Sequence, residues 1–484
     1  MSSAGQFIPL IHGQLADLKR NCGLFHRPLR DLILETENYI QSVNNNHSEQ
    51  LDYNKVLEPF FKAITTDPKQ FQSTVLDCFY KVFQLASGPQ FFLSAEITQS
   101  IITVLIHTDS QNNDEMNLRC CNVTIACLKS YSGIQFAHGN LLRKMFRLLF
   151  HIYNNCDNSS TLSSIEKSIK ETLLAVFAAY TQPPRYPETN SITDFAHQVA
   201  NTIVHDSISI FSFLEPIVRS GYSPTMRDVD MYAVISLLSR IIAKQNYHLK
   251  TINLAAELLL LVLQQESKFF ETNCFKQLLQ THIHVGILSL CLDIRLPVAE
   301  ITSQIILTTY QRFASFYLDG LNDILVKGLA VALSSPKKEI VQRSLTIYLT
   351  LFHNAQFLVD CYINFDCDES GHFKNVFEDT VDKIVRLSYP DSHQTAIQKQ
   401  ATALLVTLMN ELWFYFSHFE VHEIQNHDPE APQNFLEAKK TKDVFQQGLD
   451  TFKKSWKHGL KFFISHDFVE DSPSLIAEFL YNTP

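Results

Sequence analysis

The 484-residue chain has 13 glycines, where average usage near 7% would give about 34. That scarcity excludes a glycine-rich all-β protein, a collagen and a flexible linker protein. Its ten cysteines form no C-x-x-C pair. In a chain of this size they read as free buried thiols in a reducing compartment. No apolar run approaches the roughly 20 residues that cross a bilayer; the longest is Leu173–Tyr180. No basic region precedes the apolar cluster Phe7–Ile11, so no secretory signal is expected, and the sequons at Asn46, Asn122 and Asn158 read as chance matches. Lys and Arg number 40 against 50 Asp and Glu, a net charge of −10. The basic footprint of a nucleic-acid binder is missing, and no nucleic-acid partner is expected.

Catalytic signatures are missing as well. There is no G-x-G-x-x-G, P-loop, G-x-S-x-G or H-E-x-x-H. His418 and His422, four apart with Glu420 and Glu423 nearby, can place two ligands on one helix face. No third ligand accompanies them, so no metal or cofactor is expected. His282 and His284 point to different faces of a helix. Adjacent Cys120 and Cys121 read as small core residues.

Helical periodicity fills most of the chain, and almost nothing alternates like a strand. In Leu141–Tyr153, Arg143, Arg147 and His151 form one narrow stripe with Lys144 beside it, so the other faces must be buried. Leu254–Leu263 carries a single charge, Glu257, the mark of a helix enclosed by others. Val376, Phe377, Val381, Ile384 and Val385 make a simpler one-sided stripe. Helix starts are expected near Asp230, Thr251, Asn273, Pro297, Gly320 and Pro336. Two successive helices then occupy about 40 residues, the period of HEAT and armadillo repeats. The expected fold is all-α, an armadillo/HEAT-like helical-repeat solenoid; an irregular helical bundle is the alternative. Stacked helix pairs make a curved rod with a long concave surface, which suits protein binding better than chemistry.

Thr181–Asn190 contains three prolines and cannot be helix interior. It is expected to link residues 1–182 to residues 191–420. Asn44–Glu49 and Asp109–Glu115 read as polar loops, and Val421–Gln433 sets off a third segment, 434–484. That segment holds seven lysines, Lys439, Lys440, Lys442, Lys453, Lys454, Lys457 and Lys461, beside Phe452 and Trp456. They read as a solvated face of a larger domain or, alternatively, as a cationic surface for an anionic membrane. Cys361–Asp368 interleaves an Asn and two Asp with residues that prefer burial. It is expected to be a tight connection in which Asp366 or Asp368 caps a helix running through Phe373 and Val376.

That connection and the helix after it resemble the HUS box of the large Golgi-type Arf guanine-nucleotide exchange factors, the Sec-7-domain proteins. The family pattern is N-[YF]-D-C-D followed by a helix containing N-[IV]-F-E. Asn364, Phe365, Asp366, Cys367 and Asp368 match the first part; Asn375, Val376, Phe377 and Glu378 match the second. Residues 118–177 resemble the family's dimerisation and cyclophilin-binding (DCB) domain, through His138-Gly139, His151-Ile152-Tyr153 and Leu173–Phe177. The last segment resembles the opening of a Sec-7 domain at Phe452, Gly459, Phe462, Ser472-Pro473, Ala477, Phe479 and Leu480. It departs at Ser455-Trp456, where the family has Pro before a basic pair.

The resemblance implies a DCB-like domain at 1–182, a HUS-like domain at 191–420 and the beginning of a Sec-7 domain at 434–484. It implies the regulatory and scaffold region of an Arf exchange factor acting in Golgi vesicle transport. The protein would be cytoplasmic and peripherally bound to Golgi or trans-Golgi membranes. Implied partners are Arf-family small GTPases, with Rab or Arl relatives as further candidates, and a second copy through the DCB-like domain. The family's exchange glutamate sits in an F-R-L-P-G-E-A-Q-K-like segment that this sequence does not contain. No catalytic residue is therefore carried over, and the chain itself is expected to catalyse no exchange. Two alternatives stand beside this: a Golgi scaffold of the Mon-two type, which has DCB and HUS regions without exchange activity, and an unrelated HEAT-type adaptor.

Overall fold

The computed structural model describes residues 3–45, 51–86, 93–107, 113–181, 192–204, 206, 208–213, 226–244, 246–293, 298–368, 373–390, 395–418 and 431–482. Most of the Thr181–Asn190 and Val421–Gln433 links, and parts of the loops at 44–49 and 109–115, lie outside these residues, as does His422. The described residues are helices and short connections, with no strand among them. The fold class is all-α, of the helical-repeat solenoid kind.

The chain divides into two compact units. The first comprises Met1–Leu258 with Gln265–Thr281, and the second Leu259–Gln264 with His282–Pro484. In the first, Pro68–Leu85 rests on Ser3–Asn21 and on Asp114–Lys129, which in turn rests on Ser159–Thr181. In the second, Ala299–Asp323 rests on Lys338–Phe352, which rests on Thr395–Ser417. Contact between each helix and its near neighbours in sequence is the packing logic of stacked repeats, because no pair can bury its apolar face alone.

The apolar patterns resolve as burial. Along Gly139–Asn155, Leu142, Met145, Phe146, Leu149, Phe150 and Ile152 are buried while Lys144, Arg147 and His151 face solvent. In Leu249–Leu263, Glu257, the single charge of Leu254–Leu263, pairs with Lys170 at 2.5 Å. All ten cysteines are free and buried. Burial pushes the Cys120 and Cys291 thiols up to about 12, so they are poor nucleophiles.

Helices begin at Met226, Leu249, Asn273, Ala299 and Lys338. Near Gly320, two helical segments meet end to end within Ala299–Asp323, the second starting just after Tyr317 and within three residues of the expected position. The two meet at a kink at Tyr317, whose backbone (φ −130°, ψ 21°) is non-helical. A Cβ on Gly320 would lie 2.1 Å from the Tyr317 ring. In the first turn after the kink, this glycine makes room for a buried tyrosine whose hydroxyl meets His284 Nδ1 at 2.8 Å.

Candidate functional site

The connection expected at Cys361–Asp368 is mostly helix. Ala355–Cys361 continues into a π-turn, Tyr362–Asp366. The turn closes with Cys367 N–H donating to Tyr362 O at 3.0 Å, and one wider turn of this kind re-aims the side chains that follow. Asn364 is exposed, while Phe365, Asp366 and Cys367 are buried. Phe365 meets Phe373 edge to face at 5.3 Å, and Tyr362 meets Phe377 at 6.1 Å.

Asp366 is fully buried and caps the next helix, Val376–Ser388. Its Oδ1 accepts from Phe377 N at 3.1 Å and its Oδ2 from Glu378 N at 2.9 Å. A local Ser, Thr or Asp usually satisfies these orphan amides; here the carboxylate comes from ten residues upstream. Asn375, at the N-cap position, makes no side-chain cap bond. It donates instead to Glu378 Oε2 at 3.2 Å. Asp368 serves the connection, accepting from Phe373 N at 3.0 Å. Burial raises the Asp366 carboxyl above its usual value, against the lowering pull of the Glu378 and Phe377 amides.

The opposite end of the turn is filled from far along the chain. The Phe365 carbonyl accepts from the buried ammonium of Lys442. Lys442 lies on Ala431–Lys454, 77 residues away. A helix C-terminus carries unpaired carbonyls and partial negative charge, which suit a cationic donor. Burial lowers the Lys442 ammonium, and Asp366 and Asp368 pull it back up. One turn earlier, Lys439 binds Glu378 Oε2 at 2.6 Å and Asp443 Oδ1 at 2.8 Å. Burial alone would lower Lys439, but its hydrogen bonds to Asp443 and Glu378 outweigh that and raise it. Asn375 Nδ2 also reaches Asp443 Oδ1, at 3.4 Å. The site is thus a clasp: two helix ends meet, an aspartate fills one and a lysine fills the other.

Of the residues singled out in sequence, Phe365, Asp366, Asn375, Phe377 and Glu378 come together here, with Cys367 and Asp368 on the connection and Asn364 facing away. Sequence reasoning missed Lys439 and Lys442, which it read as a solvated face or membrane surface. A signal was present. Lys442 falls on the stripe of Ala438, Phe445 and Phe452, at i+4, i+7 and i+14 from Ala438, where an apolar residue is the norm. The His418 ring stacks on Phe414 at 4.1 Å and its Nδ1 meets Phe414 O at 3.0 Å; Glu420, His422 and Glu423 lie outside the described residues. No cluster of three or more metal-ligating side chains occurs among the described residues.

Beyond Lys442, Ala431–Lys454, Trp456–Ser465 and Pro473–Asn482 enclose an aromatic cluster. Phe445 lies 5.3 Å from Phe463 and 5.2 Å from Phe468, and Phe463 lies 5.1 Å from Phe479. Pro473 opens the last helix, and Ser472 O accepts from Ile476 N at 2.9 Å.

Comparison with known proteins bears on both halves of the clasp. Residues 228–373 match the family described as Mon2/Sec7/BIG1-like, HUS domain; this range falls inside 191–420 and takes in Asn364–Asp368. Residues 441–484 match part of the Sec7 domain, starting one residue before Lys442. The chain therefore carries an HUS domain followed by part of a Sec7 domain, in the order of the Sec7-family exchange factors. A Schizosaccharomyces pombe protein described as "Uncharacterized protein C211.03" is 25% identical over 132 residues, which are 26% of this chain and 9% of that relative. A crystal structure titled as an engineered protein aligns over 73% of this chain and 98% of its own at 10% identity, with a TM-score of 0.18. That is too low to carry an argument.

Proposed function

We propose that this chain is a regulatory and scaffold region of an Arf guanine-nucleotide exchange factor, in which the HUS box fixes the first helix of the Sec7 domain. One observation carries the reading. Lys442, at the start of the Sec7 match, is buried in the box defined by Asn364–Asp368 and Asn375–Glu378. A buried ammonium is costly unless hydrogen-bonded and charge-balanced, and this one has a helix-end carbonyl and two nearby aspartates. The box would then brace the junction between the two domains. The Sec7 match favours this reading over a Mon-two type scaffold.

In this reading the protein works at Golgi membranes in vesicle transport, with Arf-family GTPases as partners. Residues 1–182 act as a DCB-like domain for self-association, 191–420 as the HUS-like domain, and 434–484 as the opening of the Sec7 domain. No described helix is long and apolar enough to cross a membrane, so recruitment to the bilayer would be peripheral. This chain supplies no exchange glutamate. Fluorescent GDP release from Arf, measured at increasing concentrations of the purified chain, is expected to stay at the intrinsic rate; dose-dependent acceleration would overturn the regulatory role.

A further inference from the structure

Six of the seven lysines of the last segment part into two groups; the seventh, Lys440, is exposed earlier on Ala431–Lys454. Lys439 and Lys442 turn inward to the HUS box. Lys453, Lys454, Lys457 and Lys461 all face solvent. Lys453 pairs with Asp450 at 3.4 Å, and no carboxylate pairs with Lys454, Lys457 or Lys461 among the described residues. Ala431–Lys454 and Trp456–Ser465 are joined by Ser455 alone. The join is this tight because Gly459 presses on the Phe452 backbone, where a Cβ would lie 2.2 Å from Cα. Lys453 and Lys454 end one helix, and Lys457 begins the other. Lys461 follows one turn later on the same face as Lys457. Trp456 stands between them, 60% exposed, with Lys457 Nζ 5.5 Å from its ring.

We propose that this corner, Lys453, Lys454, Trp456, Lys457 and Lys461, is a contact surface for an anionic lipid bilayer. The chain is acidic in total, but charges beyond about 10 Å are screened at physiological salt, so the local excess governs what the corner attracts. Lysine presents a point charge on a flexible stem, suited to a diffuse anionic sheet; arginine forks, absent here, suit discrete phosphates. An exposed indole beside cations fits the headgroup boundary, where its body meets acyl chains and its N–H meets water. The cost of leaving Trp456 exposed in water is offset there. This surface would serve the membrane recruitment proposed above, but its test does not involve exchange. Failure here would leave the exchange-factor reading standing.

The test is sedimentation of the full chain with phosphatidylcholine vesicles, with and without about 30 mol% phosphatidylserine. Binding is expected only to the anionic vesicles, and it should weaken as salt rises from about 0.15 to about 0.5 M. Each lysine near such a surface is worth about fivefold in partitioning. The triple variant K454S/K457S/K461S should therefore lose at least about tenfold, and Trp456→Ala less. Neutral serines on exposed positions keep the fold, and unchanged far-UV circular dichroism checks this. Equal binding to neutral vesicles, or anionic binding unchanged in the triple variant, would overturn the proposal. So would selective capture by a soluble polyanion such as heparin without any vesicle binding.

Discussion

Asp366 is where the box concentrates its energetics. Its two oxygens, on a fully buried side chain, satisfy the backbone amides of Phe377 and Glu378. Asp366→Ala strands both donors, and a stranded buried group costs about 1–3 kcal/mol. The loss should appear as a lower urea midpoint and as faster hydrogen exchange at Phe377 and Glu378. Its pH dependence runs opposite to that of an ordinary salt-bridged carboxylate. Because burial raises the folded value above 3.8, the folded chain holds the extra proton in the window just above 3.8. Stability from this group is therefore fully present below that window and declines as pH rises through it. The gap between wild type and Asp366→Ala is expected to be wider at about pH 4 than at pH 7. A gap that narrows on acidification would mean that the amide bonds, not burial, dominate the titration. Lys442→Met keeps the stem and removes the donor to Phe365. It should loosen Ala431–Lys454 while leaving Val376–Ser388 capped.

At the scale of elements, the same residue type has opposite consequences at different positions. Gly459 sits where Trp456–Ser465 crosses Ala431–Lys454, and a Cβ would meet Phe452 Cα at 2.2 Å, Cβ at 2.4 Å and N at 2.6 Å. A backbone cannot turn aside as a side-chain tip can, so Gly459→Ala must part the two helices and the aromatic cluster around Phe463. Overpacking of this kind costs about 1–3 kcal/mol or more. Gly13, inside Ser3–Asn21, has nothing within 4 Å of a built Cβ, so Gly13→Ala should stabilise by about 0.5–1 kcal/mol through helix propensity. Thermal melts of the two variants should move in opposite directions. The helices themselves were legible in sequence because a buried face imposes the 3.6-residue period, as in Leu141–Tyr153. The π-turn at Tyr362–Asp366 was not legible, since an i to i+5 bond leaves no residue signature. The helix start near Gly320 was legible to within three residues, but the glycine's role of accommodating the Tyr317 ring was not, because a ring neighbour leaves no mark in the sequence. The family motif marked Asp366 and Glu378, but not the lysine that fills the other helix end. That partner is 77 residues distant, and no local period encodes such a pairing.

On the scale of the whole molecule, each compact unit carries a buried aspartate serving a distant helix start. In the first unit, Asp230 Oδ2 meets His138 Nδ1 at 2.7 Å, and Oδ1 accepts from the Gly139 amide. Gly139 has φ +53°, and a Cβ there would lie 2.7 Å from Thr202 Oγ1. The His138-Gly139 pair seen in the sequence thus opens Gly139–Asn155 under a carboxylate 91 residues on. In the second unit, Asp366 does the same for Val376–Ser388. Such cross-chain caps hold the register of a repeat stack, whose helices otherwise meet through interchangeable apolar faces. A lesion in either should register first in its own unit. Under native conditions, Asp230→Ala is expected to accelerate hydrogen exchange in Gly139–Asn155 and Met226–Ala243 while the amides of Val376–Ser388 keep their protection. Asp366→Ala should give the mirror pattern, with Gly139–Asn155 unchanged. Were either substitution to raise exchange to the same degree across both units, the two aspartates would belong to a single cooperative structure, and the local-clasp account of the fold would fail.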